Sequence, residues 1–133
     1  MVRPTTPRLL SAALLWLAAA AAAAGGPWTS ESGAFRLGYQ SRLQPLAINR
    51  MHAWVLHLER ADGAPVEGAE VTVSGGMPAH DHGLPTAPRV TRELGGGDYL
   101  LEGVRFHMNG DWELRFEIDV GGTRDVVIVP LRL

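Results

Sequence analysis

The chain has 133 residues, with 12 basic and 14 acidic side chains and a formal net charge of -2. This length suits one domain, and the acidic balance argues against nucleic-acid binding, which requires basic patches. The chain has no cysteine, which excludes disulfide bonds, thiolate chemistry and a lipid attached to an N-terminal cysteine.

The N-terminal segment has the layout of a secretory signal peptide. Two arginines precede an apolar, alanine-rich run over 9–24, and small residues follow it. We expect residues 1–26 to form the signal peptide, with cleavage between Ala22 and Gly26. The run is short and mostly alanine, so an uncleaved membrane anchor is the second choice. Cleavage leaves an exported chain of about 107 residues without a membrane span, with ten basic and 14 acidic residues.

The remainder of the chain is predicted to be all-β. Residues 27–33 are interpreted as a short polar leader, and the domain is predicted to span 34–133. Short segments with alternating apolar residues, bounded by Gly, Pro, Asp or Asn, predict strands and no helix. The predicted strands are 34–40, 50–60, 69–74, 88–93, 98–106, 111–119 and 123–132.

The clearest alternation falls in 112–118. One face of that strand carries charged residues, and the other, predicted to face the core, carries Trp112, Leu114, Phe116 and Ile118. In 52–58, His52 is in phase with the apolar residues and lies at the start of the strand, whereas His57 faces away. Seven short antiparallel strands predict a Greek-key sandwich of immunoglobulin type. Tyr99, which follows a glycine-rich turn, suits a tyrosine corner.

Methionine in the domain is confined to the neighbourhood of histidine. The pairs Met51-His52 and His107-Met108 are adjacent, and the third methionine opens the sequence MPAHDHG over 77–83. Methionine normally fills cores and is scattered among strands. Thioether and imidazole donors together favour copper, Cu(I) especially. Because Asp81 lies between His80 and His82, Cu(II) and Zn(II) stay open as alternatives.

The three groups lie beside strand ends. In an immunoglobulin-type sandwich alternate loops share one end, so these groups are predicted to meet at a single pole. The arrangement predicts a copper site with His80, His107 and Met108 as primary ligands, and Met77, His82 and His52 as additional or alternating ones.

Catalytic patterns are not found in the sequence. The segment VSGGM does not form the GxSxG turn of a nucleophilic serine, and ELGGGDY lacks the Lys-Ser/Thr that follows a phosphate-binding loop. Blue-copper electron transfer uses a cysteine thiolate, which the chain lacks. We therefore expect a protein that is not an enzyme.

Two segments, APVEGAEVTVSGGMPAHDHG and PRVTRELGGGDYLLEGVRFHMNGDWELRFEI, resemble the YtkA-like family of small exported bacterial domains, which is related by pattern to FixH-like proteins. The resemblance implies an immunoglobulin-like sandwich, a periplasmic or cell-surface location and a role in copper handling. It places the family motifs on Met77, His80, His82, His107 and Met108. FixH-like relatives are membrane-anchored, and this chain departs from them in its N-terminal segment.

Two functions follow from the residues and the resemblance together. The first is a periplasmic copper-binding module that receives copper from, or delivers it to, another protein. The alternative is a metal-free interaction or assembly module of a periplasmic or membrane complex, in which the same loops contact a partner.

Overall fold

The computed structural model describes residues 23–133, which form two antiparallel sheets. The nine strands in this part of the chain are β1 (Ala24–Thr29), β2 (Phe35–Ser41), β3 (His52–Arg60), β4 (Glu70–Met77), β5 (His82–Gly83), β6 (Arg89–Gly95), β7 (Asp98–Val104), β8 (Asp111–Val120) and β9 (Thr123–Arg132). Within these residues, no helix has the length and apolar character needed to span a membrane.

The strand order confirms the predicted sandwich. One sheet has the order β1-β2-β3-β7-β6 and the other has the order β5-β4-β8-β9. An immunoglobulin constant-type domain has one sheet of strands A, B, E and D and one of strands C, F and G. Without β1 and β5, the orders β2-β3-β7-β6 and β4-β8-β9 match these two sheets. All seven predicted strands are present, with ends shifted by a few residues.

The alternation predicted for β8 is confirmed and accounts for much of the core. Trp112, Leu114, Phe116 and Ile118 are at most 2% exposed. Their strand pairs with β9, where Val127 lies opposite Phe116 and is also buried. Gly121 and Gly122 close this hairpin as a two-residue turn, and both have a positive φ, as type I′ turns require. The core therefore lies between the two sheets.

The N-terminal boundary needs a correction. The segment interpreted as a leader contains the end of β1, which pairs with β2. Trp28 stacks on Tyr39 with ring centroids 5.8 Å apart, and the Glu31 amide donates to the Val126 carbonyl at 2.8 Å. The segment is therefore packed against the domain. Residues 1–22 of the predicted signal peptide lie outside the described residues, whereas its last residues belong to β1.

A buried carboxylate joins this N-terminal segment to β9. The Ser32 amide donates to Oδ1 of Asp125 at 3.1 Å, and the Ser32 hydroxyl donates to Oδ2. The Val126 amide also donates to Oδ1, at 2.9 Å. Burial alone would raise the pKa of Asp125, but these bonds and one from the Ser30 hydroxyl together hold the pKa well below its ordinary value.

The tyrosine corner is also corrected. The Tyr99 hydroxyl donates to the Val66 carbonyl at 2.7 Å and accepts from the Ala69 amide at 3.1 Å. A tyrosine corner reaches backbone only a few residues upstream, whereas these partners lie about 30 residues upstream. Tyr99 therefore fixes the loop before β4 to the opposite sheet.

Candidate functional site

Three segments that carry histidine meet at one end of the sandwich, as predicted. They are the 42–51 loop with the start of β3, the β4–β5 hairpin over 77–82, and the 105–110 loop between β7 and β8. The Asn49 amide donates to the Phe106 carbonyl at 2.7 Å, and the Arg105 guanidinium donates to Oδ1 of Asn49 at 3.2 Å. We call this end, formed by 42–52, 77–82 and 105–110, the histidine pole.

The sequence MPAHDHG forms a tight hairpin and not an open loop. Met77 pairs with His82 across β4 and β5, and the His80 amide donates to the Met77 carbonyl at 3.0 Å. Asp81 takes a left-handed φ of 52° and turns the chain back. Gly76 is required because a Cβ there would collide with the His82 carbonyl oxygen of the paired strand. The backbone therefore fixes the relative positions of His80 and His82.

Three of the predicted ligands form a continuous run of imidazole rings. The ring centroids of His80 and His82 are 6.3 Å apart, and those of His82 and His107 are 6.1 Å apart. Two imidazoles bound in line to one metal ion have centroids about 6.4 Å apart, because each nitrogen lies about 2.1 Å from the ion and about 1.1 Å from its ring centre. Both neighbouring pairs are therefore within the span of a shared ion.

His107 is held against the core by Trp112. Their ring centroids are 5.5 Å apart, and the ring planes meet at 74°. The Trp112 indole N–H donates to the Met108 carbonyl at 3.0 Å, which fixes the loop that carries both predicted ligands. Nδ1 of His107 is buried and has no hydrogen-bond partner among the described residues. A buried nitrogen without a partner is destabilising, so this atom is a candidate metal donor.

Met77 lies beneath this histidine run. Its side chain is 1% exposed and belongs to the core. Residues paired directly across an antiparallel ladder project to the same face, with Cβ atoms about 4.5–5.5 Å apart, which places Met77 and His82 on one face. The Met77 methyl carbon lies 2.8 Å from the position that a Cβ on Gly110 would take, so its tip reaches the loop that follows His107. Met77, His82 and His107 therefore converge.

The two remaining predicted ligands are Met108 and His52, of which His52 stands apart from this group. Met108 is partly buried and packs against the core. His52 lies at the start of β3 as predicted, and its ring contacts are with Phe106 and Trp54, at 6.0 and 6.4 Å, and not with a histidine. Its Nδ1 donates to the Arg50 carbonyl at 2.9 Å, whereas its Nε2 is buried and has no partner within 23–133. Burial lowers the pKa of His52, which favours the neutral ring.

His57 occupies a different environment, as the sequence predicts. It is exposed on the outer face of its sheet, where Nδ1 lies 2.6 Å from Oδ1 of Asp98 and Nε2 lies 3.6 Å from Oε2 of Glu59. Nδ1 of His57 therefore has a hydrogen-bond partner outside the histidine pole, and the residue provides a matched control for variants at that pole.

The donor set is a mixture of sulfur and imidazole. Within 23–133, no group of three or more His, Asp or Glu side chains has an arrangement that holds a metal ion. The three histidines meet in successive ring contacts, and the thioether of Met77 is the candidate third donor beside His82 and His107. Sequence reasoning did not single out Gly76, Gly110 or the contact of Trp112 with His107. The alternation of Val71, Val73 and Met77 in β4 is the signal that points Met77 inward.

The fold and the pole define an immunoglobulin-type β-sandwich with a histidine and methionine cluster at one end. Residues 38–117, more than half of the chain, match the YtkA-like family model. The chain therefore belongs to the YtkA-like family. No match was found among curated proteins or among solved structures.

Proposed function

We propose that this protein is an exported, non-catalytic copper-binding module that holds Cu(I) at the histidine pole and exchanges it with another periplasmic protein. The observation that carries the proposal is the buried, unpartnered Nδ1 of His107, whose ring lies 6.1 Å from that of His82, the residue paired with Met77. In the metal-free protein such an atom costs about 1–3 kcal/mol. Coordination of an ion would remove that cost.

The donors select the ion. A thioether with two imidazoles is a soft, neutral set that suits Cu(I) better than Zn(II), which favours thiolate or carboxylate. We assign Met77, His82 and His107 as the central ligands, with Met108 as an additional ligand next to His107 in the sequence. His80 lies outside the central set, next to His82, and His52 lies outside it against Phe106. Neutral ligands exchange more readily than thiolates, which suits a protein that passes copper to an acceptor.

The test is an anaerobic Cu(I) titration of the purified protein. We expect one Cu(I) per chain and a rise in the free energy of unfolding of about 2.7 kcal/mol when free copper is 100 times the Kd. Replacing His107 and Met108 together by alanine is expected to abolish binding, and Met77→Leu to weaken it. His57→Ala is the matched control and is expected to bind like the wild type.

Two outcomes would count against the proposal. If the His107→Ala, Met108→Ala double variant bound Cu(I) with unchanged affinity, the site would not be at the histidine pole. A flat response to Cu(I), Cu(II) and Zn(II), together with recovery of a protein partner that requires the same loops, would favour the metal-free interaction module.

A further inference from the structure

The histidine run continues past the central ligands toward solvent. His82 lies between His107, which is half-buried against Trp112, and His80, which is exposed at the tip of the β4–β5 hairpin. The ring contacts in this run join neighbours, His80 with His82 and His82 with His107. His82 therefore belongs to two possible pairs, an inner pair with His107 and an outer pair with His80.

We propose that His80 and His82 form an outer binding position through which copper leaves the inner position, so that an acceptor approaches the tip of the hairpin. This inference rests on the proposed copper-binding function. In the outward step, the bonds from the ion to Met77 and His107 break while a bond to His80 forms and the bond to His82 persists. No electron is transferred, so the step needs no oxidant or reductant.

The geometry of the hairpin supports this step. The His80 and His82 ring centroids are 6.3 Å apart, within the span of about 6.4 Å for two imidazoles in line, so the distance allows both rings to reach one ion. The hairpin is held by the Met77 and His82 pair and by the bond from the His80 amide to the Met77 carbonyl. Both rings of the outer pair therefore project from one hydrogen-bonded hairpin.

Burial gives the step its direction. Met77 is 1% exposed and Nδ1 of His107 is covered, so a bulky acceptor cannot reach these two donors. His80, Asp81 and His82 are exposed. An acceptor replaces the protein ligands with its own donors one at a time. It can reach the ion only from the side of the hairpin. The expected partner is a copper-accepting protein. Its sulfur or imidazole donors lie on a surface that can contact the tip of this hairpin.

The test separates the rate of transfer from the affinity. The purified protein is loaded with one Cu(I) and mixed with bicinchoninate, a bulky chromophoric chelator, and the rate of colour formation is measured. For His80→Ala we expect transfer to slow by about tenfold, while the Kd for Cu(I) changes by less than about threefold. His82→Ala is expected to lose affinity, because it removes a ligand from both positions, and His57→Ala should change neither quantity.

The results distinguish this inference from the function on which it rests. An unchanged or faster transfer rate in His80→Ala would overturn the outer position, and so would a loss of affinity as large as that of the His107→Ala, Met108→Ala double variant. If that double variant bound copper normally, the proposed function itself would fail. The exposed position of His80 makes a folding defect in its alanine variant easy to exclude by thermal unfolding.

Discussion

The ring of His107 meets the ring of Trp112 edge-on, with centroids 5.5 Å apart. This contact joins a candidate copper ligand to a large core side chain that is 2% exposed. Trp112 also touches Phe106, whose ring centroid lies 5.2 Å away, so the loop over 105–110 is anchored from two sides. The position of His107 thus depends on the packing of the core.

This contact predicts a spectroscopic signature of copper. If His107 binds the ion as proposed, the ion would lie close to the indole and quench its emission, so Trp112→Phe is expected to lose most of the copper-induced change in fluorescence. Removal of the indole also leaves the Met108 carbonyl without its donor, which should cost about 1–3 kcal/mol of stability. Trp28→Phe, on β1, is the control and should retain the signal. An equal response in both variants would place the ion elsewhere.

The close approach of β4 and β5 predicts that Gly76 and Gly83 respond differently to alanine. A Cβ on Gly76 collides with the His82 carbonyl, whereas the nearest atom to a Cβ on Gly83 is the Gly75 carbonyl oxygen at 3.8 Å. Gly76→Ala is expected to destabilise the protein by about 1–3 kcal/mol, as overpacking does. It should also weaken Cu(I) binding by moving His82, as a titration would measure. Equal effects of the two variants would contradict this account of the hairpin.

The Tyr99 hydroxyl predicts a variant that separates stability from copper binding. Tyr99→Phe removes the bonds to Val66 and Ala69 and leaves both backbone groups without this partner. We expect a loss of about 1–3 kcal/mol in the free energy of unfolding. The start of β7 lies at the end of the sandwich opposite the histidine pole, so Cu(I) affinity should not change. A parallel loss of affinity would show that the two ends are coupled.

The environment of Asp125 predicts how stability depends on pH. Its pKa is held below the ordinary value of 3.8 by hydrogen bonds from two serine hydroxyls and two backbone amides, against the opposing effect of burial. The unfolded chain therefore binds the proton more readily. The stabilisation is fully present above about pH 5 and is lost as the pH falls toward the folded-state pKa.

Asp125→Asn is expected to flatten this acid-dependent loss and to lower the stability at pH 7 by about 1.5–3 kcal/mol. The free energy of unfolding, measured with urea from about pH 2 to about pH 7, reports both effects. Asp111, which forms an exposed ion pair with Arg132 at 2.8 Å, gives the control, because such pairs contribute about 0–1 kcal/mol. If the free energy of unfolding of Asp125→Asn fell at low pH as steeply as that of the wild type, this assignment would be wrong.

Alternation in the sequence predicted most of the fold because strands of this type bury one face. In β8, four apolar residues in phase identified the core, and turn residues separated it from β9. Two strands, β1 and β5, were not predicted. The start of β1 consists of alanine and glycine that also suit a signal peptide, and β5 has only two residues, too few for any period to show.

The sequence predicts which residues form the candidate site and that they meet at one end of the sandwich. It does not predict the distances and pairings between them. Topology brings together His82 and His107, which are 25 positions apart, and no local pattern encodes that distance. The pairing of Met77 with His82 depends on strand register, which the turn at Asp81 sets. The same limits explain why the sequence pattern groups His52 with the other ligands, whereas the ring contacts of His52 are with Phe106 and Trp54.

Both ends of the described chain lie at the histidine pole. The Ser41 amide donates to the Ala23 carbonyl at 2.6 Å, and Leu133 exchanges two main-chain hydrogen bonds with Gly110, at 2.9 and 3.0 Å. A polyhistidine purification tag after Leu133 would therefore supply competing imidazoles beside the candidate ligands. The turn at Gly121 and Gly122 lies at the far end of β8, roughly 30 Å away for a strand of ten residues. An affinity tag or surface-attachment group inserted there would leave the copper-binding end accessible.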